Sequence, residues 1–310
     1  MSIEKYLHSI KSDDLSNLRS LLDKYGAFLS SIAPIFQLKV IVDANVIIGD
    51  LIWLTKHRKK RNARTALQEL IKAETVIAHA PTILEVEVKK HLSAVAKKYG
   101  INEEYLQAEW QSYANYIEFT DVPNVSSPLV AAVRDPNDIP YLTLQRATSA
   151  PIYTRDKDIP AMGGATVNYT VIAKLQEYSR SAAVEYTIKS QGIVIAVISG
   201  KIVEQLFSFV RSLTAGAKKL PSWVWLFAGA TVVIALLNPK IRNMMTSWVS
   251  SLPNKAQKFG MQLIKLTEPI VHEHQRAKEM ADKALEAVNF ELKELNVQLD
   301  RKYGTTGSGL

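Results

Sequence analysis

Val40, Ile41 and Val42 stand in a row in the stretch LKVIVDANVIIGD, residues 38–50. A β-branched apolar run of this kind suits a strand buried on both faces of a parallel sheet, which needs helices layered on either side. The chain then places Asp43 at the end of the run and Asn45 two residues on. A carboxylate in that position is desolvated at a cost unless a cation or a hydrogen-bond donor meets it. What meets it decides the chemistry open to the chain.

From Leu38 to about Tyr169, short β-rich runs alternate with helical stretches, the signature of an α/β domain with a mainly parallel sheet. The expected strands are LKVIVD, TVIAHA, YIEFTD and APIYTRD, with helices near 63–73, 82–98, 103–112 and 139–149. Residues 1–37 read as a helical extension of two short amphipathic helices, with Ser12 or Asp13 as a cap and Leu15, Leu18 and Leu22 at helical spacing.

Acids recur at matching places. APIYTRDKD ends an apolar run in Thr154, Asp156 and Asp158; RDPNDIPY puts Asp135 and Asp138 just before a helix; PTILEVEVKKHL carries Glu85 and Glu87 near a helix start. Functional groups of open α/β sheets gather at the carboxyl ends of the strands, so these acids can converge there. Converging carboxylates repel one another unless a divalent cation neutralises them. With no cysteine and only 6 histidines in 310 residues, the ligands on offer are oxygens, which select Mg2+ or Mn2+ rather than zinc. Asp135 has the place of a helix cap, and Glu85 reads as a surface residue.

The order VDAN, then a helical glutamate, then DPNDIPY, then YTRDKD resembles the PIN-domain nucleases, a family that includes the ribonuclease toxins of bacterial toxin-antitoxin pairs. The resemblance covers roughly residues 38–170 and implies a PIN-like three-layer domain. Carried over by position, it makes Asp43, Glu87, Asp138 and Asp156 the catalytic acids. Asp43, Asp138 and Asp156 would hold the metal with Asp158 as a second-shell or occasional direct ligand, and Asn45 or Thr154 would support Asp43. Glu85 remains the alternative to Glu87. Asn137 stands where the family often has an acid, which removes a charge but no expected ligand. The implied activity is metal-dependent endonucleolytic hydrolysis of RNA, and an inhibitory antitoxin-like protein inserting a basic residue is an implied partner.

Basic residues give this reading a second element. Lysine and arginine outnumber aspartate and glutamate 38 to 30, a formal charge of +8, which suits nucleic acid or anionic lipid as a partner. The run KHRKKRNAR offers Lys56, Arg58, Lys59, Lys60, Arg61 and Arg64 close in sequence to Asp43, where they are expected either to neutralise RNA phosphates or to form a solvated helix end. The polar, early-acidic N-terminus MSIEKYLHSIKSDD does not resemble a signal peptide, so the nuclease domain is expected in the cytoplasm.

The C-terminal half has another character. Residues 171–268 form a helical region whose stretch LPSWVWLFAGATVVIALLNP, 220–239, is uncharged, bears Trp223 and Trp225, and is flanked by Lys218, Lys219, Lys240 and Arg242. As a helix it would reach ~30 Å, the thickness of a bilayer core, so a membrane anchor on the inner face of the cell membrane is one expectation and a buried helix the other. GIVIAVISGKIVEQLFSFV, 192–210, carries Lys201 and Glu204 and suits an interfacial or buried amphipathic helix better than a span. Beyond Pro269, Ala281, Leu285, Val288, Leu292, Leu295 and Leu299 form an a/d seam, a coiled-coil or bundle helix over 269–303 that allows homo-oligomers. His272 and His274 read there as solvated residues, and 304–310 as a flexible tail. Two functions stand open: a membrane-tethered endoribonuclease acting as toxin or defence effector, and a membrane-associated binding or scaffolding protein with a non-catalytic PIN-like domain.

Overall fold

The computed structural model describes residues 10–16, 35–60, 62–122, 135–198, 237–251 and 253–303, in two compact units. One comprises residues 35–179 and 283–310 and is an α/β unit; the other comprises residues 1–34 and 180–282 and is helical where described.

The α/β unit is built on five parallel strands in the order β3-β2-β1-β4-β5, with β1 at Leu38–Val42, β2 at Val76–Pro81, β3 at Ile117–Thr120, β4 at Ile152–Tyr153 and β5 at Thr166–Val167. Val40, Ile41 and Val42 are fully buried, as a central strand covered on both faces requires. Truncating any of them would cost about 1–4 kcal/mol through lost apolar burial and the cavity left behind. The expected strands are present, but the fourth keeps only Ile152 and Tyr153, and β5 was not anticipated.

α1 runs Ala44–Ile52 and widens into a π turn at Trp53–His57; α2 is Ala66–Lys72, α3 Ile83–Tyr99, α4 Glu103–Ala114, α5 Ile139–Thr148 and α6 Asp158–Ala161. Four of these helices, α2 to α5, follow the expected segments closely, while α1 and the short α6 were not anticipated. In α3, Leu84, Val88, Leu92 and Ala96 repeat every fourth residue and are buried, which fixes the face it turns to the sheet. Gly100, at φ 64°, closes that helix in the left-handed conformation that glycine adopts without strain. α2 starts with a capping box between Thr65 and Gln68.

This topology has one consequence for chemistry. The central strand β1 is flanked by β2 on one side and β4 on the other, so the chain reverses its direction of winding between β1 and β4. A crevice opens at the carboxyl ends of the two strands at such a switch point.

α7 spans Tyr169–Ile198 and α9 spans Asn254–Tyr303, both crossing from one unit to the other. α9 begins before Pro269, not after it, and carries that proline within its length. Val288 lies in the buried core of the α/β unit and Leu292 packs against it, so this part of the a/d seam is used inside the chain. In the helical unit, α8 runs Pro239–Ser250 from an Asn238 cap, and Ile188, Leu237, Ile270 and Val271 form a small core with Met245 and Ile264 against it. His274 is buried there, contrary to the solvated reading, while His272 is exposed. Most of the apolar stretch 220–239 lies outside the described residues, as does 199–210; among the described residues no helix is long and apolar enough to cross a membrane. Of the N-terminal extension, residues 1–37, only 10–16 and 35–37 are described.

Candidate active site

Asp43 follows β1 directly and Thr154 follows β4 directly, and the register Val42 to Tyr153 makes them the next pair across the two strands. The Thr154 hydroxyl donates to Asp43 Oδ2. The same hydroxyl oxygen accepts from Asn45 Nδ2 at 3.2 Å and from the Asp156 N–H at 2.8 Å. Asn45 Oδ1 in turn accepts from the Arg155 N–H at 3.2 Å. The two strand ends are thereby tied together, and Asp43 is held by a hydroxyl rather than by a cation.

Burial pushes the Asp43 carboxyl up from its ordinary value; the Thr154 hydroxyl and the N–H groups of Ala44 and Asn45 oppose this, and the charge of Asp156 adds to it. The ionised form is held against its desolvation by donors and by the helix start.

Glu87 is carried on α3 between the buried Leu84 and Val88, half-buried at the edge of the inward face. Its Oε2 accepts from the Tyr141 hydroxyl at 2.6 Å. Burial raises its pKa; Tyr141 lowers it, the charges of Asp43 and Asp135 raise it, and Lys90 lowers it. Glu85 lies on the outer side of the same helix, paired with Lys89 at 3.1 Å. Of the two glutamates, Glu87 is therefore the one that faces the other acids. Tyr141, fully buried, was not singled out from the sequence, although it lies three residues after Asp138 and so on the same helical face.

Asp135 caps the single 3-10 turn Pro136–Asp138, its Oδ1 accepting from the Asn137 N–H at 2.9 Å. Asp138 then occupies the N-cap position of α5 without using its side chain as a cap. Its Oδ2 is buried and has no hydrogen-bond partner among the described residues. Burial first, and then the charges of Asp135, Asp156, Asp43 and Glu87, push its pKa up to about 7. Four acids, three of them from segments other than its own, thus act on this one carboxyl. Asp156 Oδ1 accepts from the Asp158 N–H at 2.9 Å, and Asp158 starts α6.

An orphaned buried carboxylate oxygen, an all-oxygen donor set and several mutually repelling acids fit a hard divalent cation. Among the described residues no three such side chains are already gathered as a set that could hold the ion. Asp43, Asp138, Asp156 and Glu87 form no ion pair among the described residues.

The basic run is differently placed. Lys56 is thirteen residues from Asp43 along α1 and its π turn, ~20 Å of helix rise. Arg58 is bonded to Glu109 Oε1 at 2.6 Å and to the Tyr105 hydroxyl. Lys56 lies over the Tyr99 ring, 4.9 Å from its centroid. Lys59 and Lys60 are exposed, Arg64 is half-buried, and Arg61 lies outside the described residues. Lys56 therefore lies well along the helix from Asp43 despite its nearness in sequence.

Fold and acids together define an all-parallel α/β domain with a carboxylate cluster at its switch point. Residues 41–182 match the family model of the PIN domain. No curated protein and no solved structure matches the chain.

Proposed function

We propose that the chain is a metal-dependent endoribonuclease acting on single-stranded or structured RNA, with Mg2+ or Mn2+ held by Asp43, Asp138 and Asp156 and with Glu87 completing the acidic edge. One observation carries this reading: Asp138 presents a buried oxygen, without a partner among the described residues, to a group of acids, and burial together with their charge pushes its pKa up to about 7. Such an arrangement is costly for the folded chain unless a cation balances it.

A divalent ion bound there supplies positive charge to a phosphodiester and lowers the pKa of a bound water. The protein's own groups do the rest. Thr154 orients Asp43, and Asn45 fixes the loop after β4 so that Asp156 stays beside it. Tyr141 holds one oxygen of Glu87, on whose carboxylate the charges of Asp43 and Asp135 act. The PIN-domain match to a nuclease-type fold supports the activity; RNA as substrate, an inhibitory partner and a membrane tether extend it.

The test is cleavage of labelled single-stranded RNA by the full chain with magnesium, manganese or a chelator, beside Asp43→Asn and Asp138→Asn. Metal-dependent cutting lost in both variants is the expected result. A folded, metal-loaded chain that cuts neither RNA nor DNA would turn the site into a binding or scaffolding element.

A further inference from the structure

Arg155 sits between Thr154 and Asp156, so its backbone belongs to the acidic edge, yet its side chain leaves that edge and lies along α1. A Cβ added to Gly49 would fall 2.6 Å from one guanidinium nitrogen and 3.2 Å from the guanidinium carbon. Glycine at position 49 is what gives the guanidinium room against the helix backbone. Next to Gly49, Asp50 is buried and accepts from Thr65 Oγ1 at 2.6 Å and from the Tyr113 hydroxyl at 2.9 Å. Its charge and that of Arg155 attract each other, and Tyr153 hydrogen-bonds Arg155 from β4.

The arginine is therefore seated rather than consumed. Asp50 draws the guanidinium inward while its Oδ2 accepts from the two hydroxyls, and the guanidinium, with five N–H donors in a planar fork, has more donors than these neighbours take up. Arg155 remains exposed. Tyr169, 63 % exposed at the start of α7, acts electrostatically on Tyr153 and so stands close to the same place. Gly49 is six residues along α1 from Asp43, ~9 Å of helix rise, so the seat is beside the acids and not among them.

We propose that Arg155 and Tyr169 form a subsite for single-stranded RNA, Arg155 taking the phosphate of the nucleotide beside the one being cut and Tyr169 stacking on its base. The choice of the neighbouring phosphate rests on the endoribonuclease reading of the acids; the binding does not. A planar fork suits a phosphate better than a lysine would, and an exposed aromatic ring accepts any base.

The experiment is fluorescence anisotropy of labelled single-stranded RNA with the full chain carrying Asp138→Asn, in magnesium, over a range of salt. Adding Arg155→Ala is expected to weaken binding about tenfold and to reduce the log–log salt slope by ~0.7, the share of one single-strand phosphate. Arg155→Lys should keep the slope and lose part of the affinity. Gly49→Ala retains the arginine but fills its seat, and should weaken binding several-fold. Tyr169→Leu should weaken binding about tenfold with the slope unchanged, as loss of stacking does. Affinity and slope unchanged in Arg155→Ala and in Tyr169→Leu would overturn the subsite, as would no RNA binding by the parent chain. If the losses occur but the wild-type chain never cuts RNA, the subsite stands and the nuclease reading falls.

Discussion

α1 and its π turn join two charged regions that differ in how their charge is balanced. At the N-terminal end, Asp43 meets a hydroxyl and backbone N–H groups, and Asp138, Asp156 and Glu87 press on one another with no ion pair among the described residues. At the other end, Arg58 is closed onto Glu109 and Tyr105, and Lys56 covers an aromatic ring. Compensated charge belongs to the scaffold. Charge that the fold gathers and leaves uncompensated has a cost, and it marks the place where a ligand completes the structure.

The contrast is open to attack in four ways. The largest effect is expected from Asp43→Asn, which should reduce metal-dependent RNA cutting by about a thousandfold, the several kcal/mol that a bound ion supplies to such a reaction; cutting within tenfold of wild type would break the acidic half of the comparison. Tyr141→Phe should follow, with about a ten- to hundredfold loss of cutting or metal affinity, because Glu87 keeps its charge but loses the donor that orients it. Titrating magnesium into the variant separates the two losses.

The third prediction concerns pH. Asp138 has its folded pKa raised from 3.8 to about 7, so the folded chain binds a proton there that the unfolded chain has released. The metal-free chain should therefore lose stability as pH rises from 4 towards 7, the reverse of an ion-paired carboxylate. Asp138→Asn removes that liability and should raise the metal-free melting temperature at pH 8 by a few degrees, about 1–2 kcal/mol, with little change at pH 4. A variant destabilised equally at both pH values would show that Asp138 has a structural partner instead. The smallest effect is expected at the other end of α1: Arg58→Ala should cost about 1 kcal/mol of stability and change RNA affinity less than twofold. Strong loss of RNA binding with unaltered stability would make that end part of the RNA surface after all.

Much of this was readable in the residues. The run Val40 to Val42 specified a buried parallel strand because nothing else accommodates three consecutive β-branched residues so well, and the spacing of Leu84, Val88 and Leu92 specified the inward face of α3. The order of the acids was legible for the same reason, since each follows a strand end or starts a helix. β5 was not, since two residues are too few to show a period of two, and the fourth strand, expected over 150–156, keeps only Ile152 and Tyr153. The basic run leaves phosphate contact and a solvated helix end both open, because the partners of Arg58, Tyr105 and Glu109, lie 47 and 51 residues away. Tyr141 and Arg155 escaped for a similar reason. Their meaning comes from Glu87, 54 residues before, and from a glycine more than a hundred residues before, which only the topology brings near. The a/d seam suits self-association or packing back on the chain, and Val288 and Leu292 take the second course within the α/β core.

The most direct test of the uncompensated acidic edge is the melting temperature of the full chain at pH 8 with and without magnesium or manganese, for the wild type and for Asp43→Asn and Asp138→Asn. A rise with metal in the wild type that disappears in both variants is the predicted result. An equal rise in all three, or none in the wild type at millimolar metal, would contradict it.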